Sequence, residues 1–236
     1  MIPAYEMRRL AAVATPERSL NDLAGLRADG HPLQYLEGTV AFGQLTIAVD
    51  ERVLIPRPET EYLADLLARR HSSPGLVVDL GTGSGALALF LKAAWPRSRV
   101  IATDISGDAL VVAAENGACL GLDAEWRQGD LFGALPGEIR GGVDLIVANP
   151  PYVSEDKWEE LPIDVRHEPR SALVAGPRGT EVIDRILDGI GDWLGPAGEA
   201  WIEIGETHGN YLKDRHGVVL HQDQYGSDRF AMVKVD

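Results

Sequence analysis

Cysteine is nearly missing from this chain: Cys119 stands alone among 236 residues. A lone thiol excludes an intramolecular disulfide and fits a reducing, cytoplasmic setting. Its expected part is that of a small apolar filler near a helix end. Positive charge is scarce too, with 22 Lys and Arg against 36 Asp and Glu and a net charge of −14 spread along the chain without an acidic tail. A protein that tracks a phosphate backbone needs a cationic stripe, so stable nucleic-acid binding is not expected. The local cluster Arg166, His167, Arg170 and Arg178 reads as a solvated loop face. No apolar run approaches the ~18 residues that span a bilayer. The short run Leu10–Ala14, with Glu6 before it and Pro16 after, makes a poor secretion signal. His31, His71, His167, His208, His216 and His221 show no ligand spacing, so no metal is expected. There is no internal repeat and no low-complexity segment.

What the chain does have is alternation. Met7, Leu10, Ala11 and Ala14 share one helical face, and Leu20, Leu23, Ala24 and Arg27 share another beyond Pro16. Gly38 to Val49 alternates around a central glycine and reads as a hairpin. Pro58, Glu59 and Glu61 open a helix that runs to about Arg70, since proline and acids suit a first turn. From there strands are expected over 76–80, 100–103, 125–128, 143–148 and 200–204, with helices over 86–94, 109–120 and 180–194. The tail, 218–222 and 230–235 around Tyr225-Gly226-Ser227-Asp228, reads as an antiparallel hairpin. The pattern predicts an α/β fold: a mostly parallel seven-stranded sheet with helices on both faces. Residues 1–52 form a small helical segment plus hairpin, and residues 53–236 form the main domain.

Two motifs carry chemistry. Val77-Val78-Asp79-Leu80-Gly81-Thr82-Gly83-Ser84-Gly85-Ala86 is a strand, a glycine-rich turn and a helix start, where a ligand can lie against backbone. Asp104 ends the next strand, about 20 residues on, where a carboxylate can accept both hydroxyls of a ribose. Gly81, Gly83 and Ala86 also satisfy a dinucleotide fingerprint. Asp79 before the glycines, the Gly-x-Gly-x-Gly spacing, and Asn149-Pro150-Pro151-Tyr152 after the fourth strand favour S-adenosylmethionine over NAD. Asp130 falls where an adenine amine would lie, and reads equally well as a turn residue capping a helix. In the tetrapeptide, two prolines remove two N–H donors and leave their carbonyls free. The Asn149 oxygen and the Pro150 carbonyl can then converge on one planar NH2 group, which suits methyl transfer to nitrogen. A proline-stiffened loop is the plainer reading of Asn-Pro-Pro by itself.

Together with the segments Pro32–Gly38 and Leu54–Glu61, and with Glu168-Pro169-x-x-Ala172-Leu173 and Gly226-x-Asp228-Arg229, these motifs resemble the protein-(glutamine-N5) methyltransferases of the PrmC/HemK type. The run Ile55-Pro56-Arg57-Pro58-Glu59-Thr60-Glu61 is its specific mark, and the resemblance runs from about His31 onward. It implies a Rossmann-like S-adenosylmethionine-dependent methyltransferase acting on the glutamine of the Gly-Gly-Gln motif in peptide chain release factors. It further implies that Gly81, Thr82, Gly83, Ser84 and Gly85 pass under the cofactor's methionine part. Asp104 would hold the ribose, and Asp130 and Leu131 would flank the adenine. Asn149 would touch cofactor and substrate, with Pro150, Pro151 and Tyr152 completing the glutamine site. Asn149, Pro150 and Tyr152 are the expected catalytic group.

Four departures stand out. Only about thirty residues precede the hairpin, where the family has a longer helical domain. Leu131 replaces a frequent aromatic, His167 a common tyrosine, and Pro177-Arg178-Gly179-Thr180 an acidic Asp-Gly-Leu pattern. The rival readings are an adenine-N6 methyltransferase, a relative acting on a small molecule or another peptide, and a cofactor-binding module without activity.

Overall fold

Two helices open the chain, α1 (Ala4–Val13) and α2 (Leu20–Ala28). Ser19 caps α2 by accepting from the Asp22 N–H, and the Asp22 carboxylate accepts from the Ser19 N–H in return. A short α3 (Leu33–Glu37), not foreseen as a helix, ends at Gly38. Leu10, Leu23, Leu33 and Leu36 bury together, and the buried Glu6 is paired with Arg27 at 2.7 Å. The hairpin follows as β1 (Thr39–Phe42) and β2 (Leu45–Ala48). The structure, a computed structural model, describes residues 2–234; Met1, Val235 and Asp236 lie outside, Val235 being the expected last residue of the terminal hairpin.

The main domain then alternates. Helix α4 (Pro58–Arg70) precedes β3 (Leu76–Leu80), α5 (Ala86–Ala94), β4 (Arg99–Asp104), α6 (Gly107–Leu120), β5 (Glu125–Gln128) and β6 (Val143–Ala148). A long loop contains a minimal parallel pair, β7 (Val153–Ser154) and β8 (Val174–Gly176). The chain continues through α7 (Glu181–Gly189), β9 (Leu194–Glu203), α8 (Gly209–Leu212), β10 (Val218–Gln222) and β11 (Asp228–Lys234). Seven strands form one sheet in the order β10-β11-β9-β6-β3-β4-β5, parallel except for β11, which runs against both neighbours. This is the expected Rossmann-like arrangement with its terminal hairpin. The order reverses between β3 and β6, and a crevice opens there beyond the strands' carboxyl ends.

Period-two alternation sends Val77, Leu145, Val147 and Trp201 to one face, against α4, α5 and α6. Val78, Leu80, Ile146 and Ile202 face the other way, against Ile183 and Ile186 of α7. Two expectations need correction. The helix read over 180–194 ends at Gly189, and β9 already begins at Leu194. Leu194 pairs with Val143 while Glu199 pairs with Leu145, so the strand bulges through Gly195-Pro196-Ala197-Gly198 and Ala197 takes φ 62°. That tetrapeptide reads locally as a turn, and only pairing with β6 makes it strand. Cys119 sits near the end of α6 but is exposed, so it is not the buried apolar filler expected there. Among the described residues no helix is long and apolar enough to cross a membrane.

Candidate active site

The crevice holds a cavity of about 310 Å3, within the size range of small-molecule sites. The loops after four consecutive parallel strands build its floor: Gly81 and Gly83 after β3, Asp104 and Ile105 after β4, Asp130 and Leu131 after β5, Asn149 and Pro151 after β6. Pro169, Ser171, Ala172 and Val174, with Arg52–Leu54 and Arg185 of α7, line it as well. Gly81 (φ 72°) and Gly83 (φ 55°) take left-handed backbone, and a Cβ on either would meet no atom within 4 Å. A ligand can therefore rest directly on this turn.

Asp104 keeps acceptor capacity at the cavity. Its Oδ2 accepts from the Gly83 N–H at 2.9 Å and its Oδ1 from the Ser106 N–H at 2.8 Å, leaving each oxygen a second lone pair. Burial raises its carboxyl above the usual range, and those backbone donors oppose the rise. Ile105 beside it is 64% exposed at the cavity edge, an apolar surface suited to a planar ring that sequence reading missed. Asp130 lines the cavity, and its Oδ2 accepts from Arg185 at 2.6 Å. Leu131 lines it with φ 48°, a left-handed backbone uncommon for a residue with a branched side chain.

The rest of the glycine loop divides. Thr82 and Ser84 line a small adjoining void of about 50 Å3 that also touches Asp79, Thr60 and Asn149. The Thr82 hydroxyl turns inward and donates to Asp79 at 2.6 Å. Burial, helped by the Asp104 charge, pushes the Asp79 carboxyl up to about 7, and the Thr82 bond works against it. Gly85 faces away from both spaces, toward Trp126 and Ala113. The Ser84 carbonyl accepts from Asn116, whose carboxamide also exchanges two hydrogen bonds with Ala48. Asn116 thereby fastens the hairpin to the glycine loop, a role set by a contact 68 residues away and invisible in the sequence.

Asn149 stands at the end of β6 and touches both spaces. Its Nδ2 donates to Thr60 Oγ1 at 2.9 Å, and the Thr60 hydroxyl donates to Glu203 Oε2 at 2.6 Å. Among the described residues no donor reaches Asn149 Oδ1, which stands at the cavity, and none reaches the Pro150 carbonyl beside it in the chain. Pro151 lines the cavity, whereas Pro150 is buried. The Tyr152 ring lies behind this stretch, edge-on to His208 at 6.2 Å, with burial holding its hydroxyl above the usual range. Glu203 is 1% exposed, and burial pushes its carboxyl up to about 7.

Distant segments brace the site. Glu168 accepts from the Ile55 N–H at 2.9 Å and from Arg57 at 2.5 Å, so the Glu168-Pro169 loop clasps the Leu54–Arg57 strand of chain. Gly179 (φ 80°) lies so close to Tyr152 that a Cβ would stand 2.6 Å from its carbonyl oxygen. His167 stacks on His31 at 4.2 Å, joining this loop to the amino-terminal helices. The basic residues of the loop are paired, Arg166 with Glu159 and Arg178 with Glu181, and Arg170 lies over the Trp158 ring.

Comparison with known proteins follows the same outline. The family model described as "Methyltransferase small domain" matches residues 58–167. A release factor glutamine methyltransferase of Moorella thermoacetica is 44% identical over 192 residues, 80% of this chain and 67% of that protein. Another, from Streptococcus pneumoniae, is 38% identical over 239 residues, 97% of this chain and 84% of that protein. The second alignment reaches into the amino-terminal helices, beyond the start near His31 that the motifs alone suggested. Among solved structures, the T. thermophilus 16S rRNA N2 G1207 methyltransferase superposes with a TM-score of 0.63 at 17% identity, over 84% of this chain and 50% of that one. Likeness at that identity establishes the fold.

Proposed function

The chain belongs to the release factor glutamine methyltransferase family, and on that premise we propose that it methylates the side-chain nitrogen of a protein glutamine. The acceptor on this reading is the glutamine of the Gly-Gly-Gln motif of a peptide chain release factor, and the methyl donor is S-adenosylmethionine. When bound, that cofactor supplies a methyl group on a sulfonium, an electrophile that already carries its leaving group. The observation behind the reading is the open acceptor Asn149 Oδ1 at the cavity floor, beside a diol-ready Asp104, with the Pro150 carbonyl next to it in the chain accepting no hydrogen bond among the described residues.

An amide nitrogen is a poor nucleophile because its lone pair is delocalised. Two acceptors on its two hydrogens hold the group in place and favour the positive charge that builds there in the transition state. Asp104 and the Gly81–Gly83 turn would hold the ribose and the methionine part. Ile105 and Leu131 would enclose the base, with Asp130 at its amine edge. Pro151 would close the amide pocket, and Tyr152 would stiffen it from behind. The loop over 153–178, anchored by the Glu168 clasp, is the surface beside the pocket where a protein acceptor would lie.

Mass spectrometry after incubation with cofactor tests this on three acceptors: a release factor, a Gly-Gly-Gln peptide and adenine-containing DNA. The expected result is one added methyl group on the release-factor glutamine. Transfer to DNA alone would overturn the assignment, and transfer to none of the three would point to a small-molecule acceptor. Asn149→Ala is expected to slow single-turnover transfer by about 10²- to 10³-fold, with calorimetric cofactor affinity changed far less.

A further inference from the structure

We propose that Glu203 and Thr60 are positioning residues that set the direction of a hydrogen-bond chain and so turn the Asn149 oxygen toward the acceptor nitrogen. The proposal rests on the reading that the acceptor presents an NH2 group. A carboxamide has two chemically opposite ends, and an Asn149 turned over would offer its own NH2 to the acceptor's NH2. Nothing on the cavity side prevents that turn, because no donor or acceptor among the described residues engages Oδ1. The constraint comes from behind. Thr60 Oγ1 has one proton, and it lies 2.6 Å from Glu203 Oε2 and 2.9 Å from the Asn149 carboxamide. An ionised Glu203 can only accept, so it takes the Thr60 proton. Thr60 then has only lone pairs left for Asn149, and the NH2 end must face it.

Among the described residues this chain is Glu203's only side-chain hydrogen bond or ion pair. Arg57 and Glu59 approach from the start of α4, Arg229 from β11, and Tyr152 from the loop after β6. Arg57 is committed to Glu168, and Arg229 to Glu206 and Asp223, so neither cation pairs with Glu203. Its second oxygen, Oε1, is buried with no partner among the described residues. A proton taken up by Glu203 would therefore settle on Oε2, the one oxygen with something to donate to. Glu203 would then donate to Thr60, Thr60 would donate to Asn149 Oδ1, and the carboxamide would be held the wrong way round. One proton enters from solvent and forms the Glu203 Oε2–H bond, and no other covalent bond changes. The carboxyl, pushed up to about 7 by burial, makes this reversal accessible near neutral pH.

The test measures kcat at saturating cofactor and release factor from about pH 8 down to about pH 6, in the wild type, Glu203→Gln, Thr60→Val and Thr60→Ser. The wild type is expected to lose activity as pH falls through about 7. Glu203→Gln cannot ionise and is expected to lose that limb, whatever its absolute rate. Thr60→Val is expected to lower kcat by about 10- to 100-fold with calorimetric cofactor affinity unchanged, and Thr60→Ser to recover most of the loss. An acid limb that persists in Glu203→Gln, or wild-type turnover in Thr60→Val, would overturn the proposal. Should Thr60→Val fail to bind cofactor, the Glu203→Gln profile decides alone. If the wild type transfers no methyl to a release factor, the acceptor assignment fails, and the chain is read instead by NMR. In that case the protection of the Asn149 side-chain NH2 protons, taken relative to the intrinsic base-catalysed rate at each pH, should be greater in the wild type at high pH than in Thr60→Val or at low pH, and equal protection throughout would refute it.

Discussion

Glu199 and Glu203 point to the same face of β9, each under one end of α4, and they are held in opposite ways. Ten residues of helix rise ~15 Å and four residues of strand ~13 Å, so Arg70 meets Glu199 while Thr60 meets Glu203. Glu199 accepts two hydrogen bonds from Arg70 at 2.9 and 3.0 Å and one from Trp201 at 3.2 Å, with Lys234 at 3.7 Å. Those partners, Arg70 foremost, hold its carboxyl down at about 2. Glu203 has a single hydroxyl and an unpaired oxygen, and burial pushes it up to about 7. The same side chain on the same strand thus fastens the sheet at one end and titrates beside the site at the other. The cause is the partner: a bidentate cation stabilises charge, and a lone hydroxyl barely offsets desolvation.

The sharpest way to break this comparison is to remove the fastening. Glu199→Ala is expected to lower stability by about 2 kcal/mol in chemical denaturation. That is below the loss for a fully buried pair because Arg70 is 40% exposed and regains water. Turnover per folded molecule should be unchanged, and a parallel loss of turnover would show that the two ends are not separate. In the wild type this contribution is present above about 4.5 and is lost as pH falls toward about 2, since the folded-state carboxyl is depressed.

Glu203 should show the reverse sign. Its folded-state carboxyl is raised, so its contribution is complete below about 4.5 and is lost as pH rises through about 7. Asp79 behaves alike between about 3.8 and about 7. Thermal melts from about pH 5 to about pH 8 are expected to show a decline, of which Glu203→Gln removes a part worth about 1–3 kcal/mol. Glu203→Gln is therefore expected to be relatively more stable than the wild type at the alkaline end. An unchanged pH slope would mean that Glu203 finds charge stabilisation that its surroundings do not reveal.

The same contrast explains what could be read from the chain beforehand. The cofactor end was legible because its parts are contiguous: strand, glycine turn and helix lie within Val77–Ala86, and Asp104 closes the next strand. The expected bounds of β5, β6, α5 and β10 match those observed, since hydrophobic period and turn chemistry agree there. The acceptor end was half legible. Asn149 and Pro151 stand at the cavity, but the orientation of Asn149 depends on Thr60 and Glu203, 89 and 143 residues apart along the contacts that join them. Thr60 lay inside the Ile55–Glu61 run, which marked the family and opened a helix but gave Thr60 no role of its own. Glu203 read only as part of a buried strand. No local pattern carries a relay whose members meet through tertiary packing, just as none carried the bulge that starts β9 at Leu194.

Leu131 extends the comparison with the smallest effect. A side chain in left-handed backbone is a local cost, and the cleft bears one of its own. Leu131 takes φ 48° while lining the cavity. Leu131→Ala and Leu131→Gly both delete the lining side chain, so both should weaken cofactor binding to the same modest degree. They differ in the Cβ alone. At ordinary positions Gly is less stable than Ala by about 0.5–1 kcal/mol because of its freedom in the unfolded chain. In left-handed backbone the Cβ costs about 1–2 kcal/mol, which outweighs that freedom. Leu131→Gly is therefore expected to be the more stable of the two by up to about 1 kcal/mol in paired denaturation curves. Ala above Gly would mean that this turn relaxes to ordinary backbone once the side chain is gone, and that the strain belongs to Leu131's packing and not to the loop that frames the site.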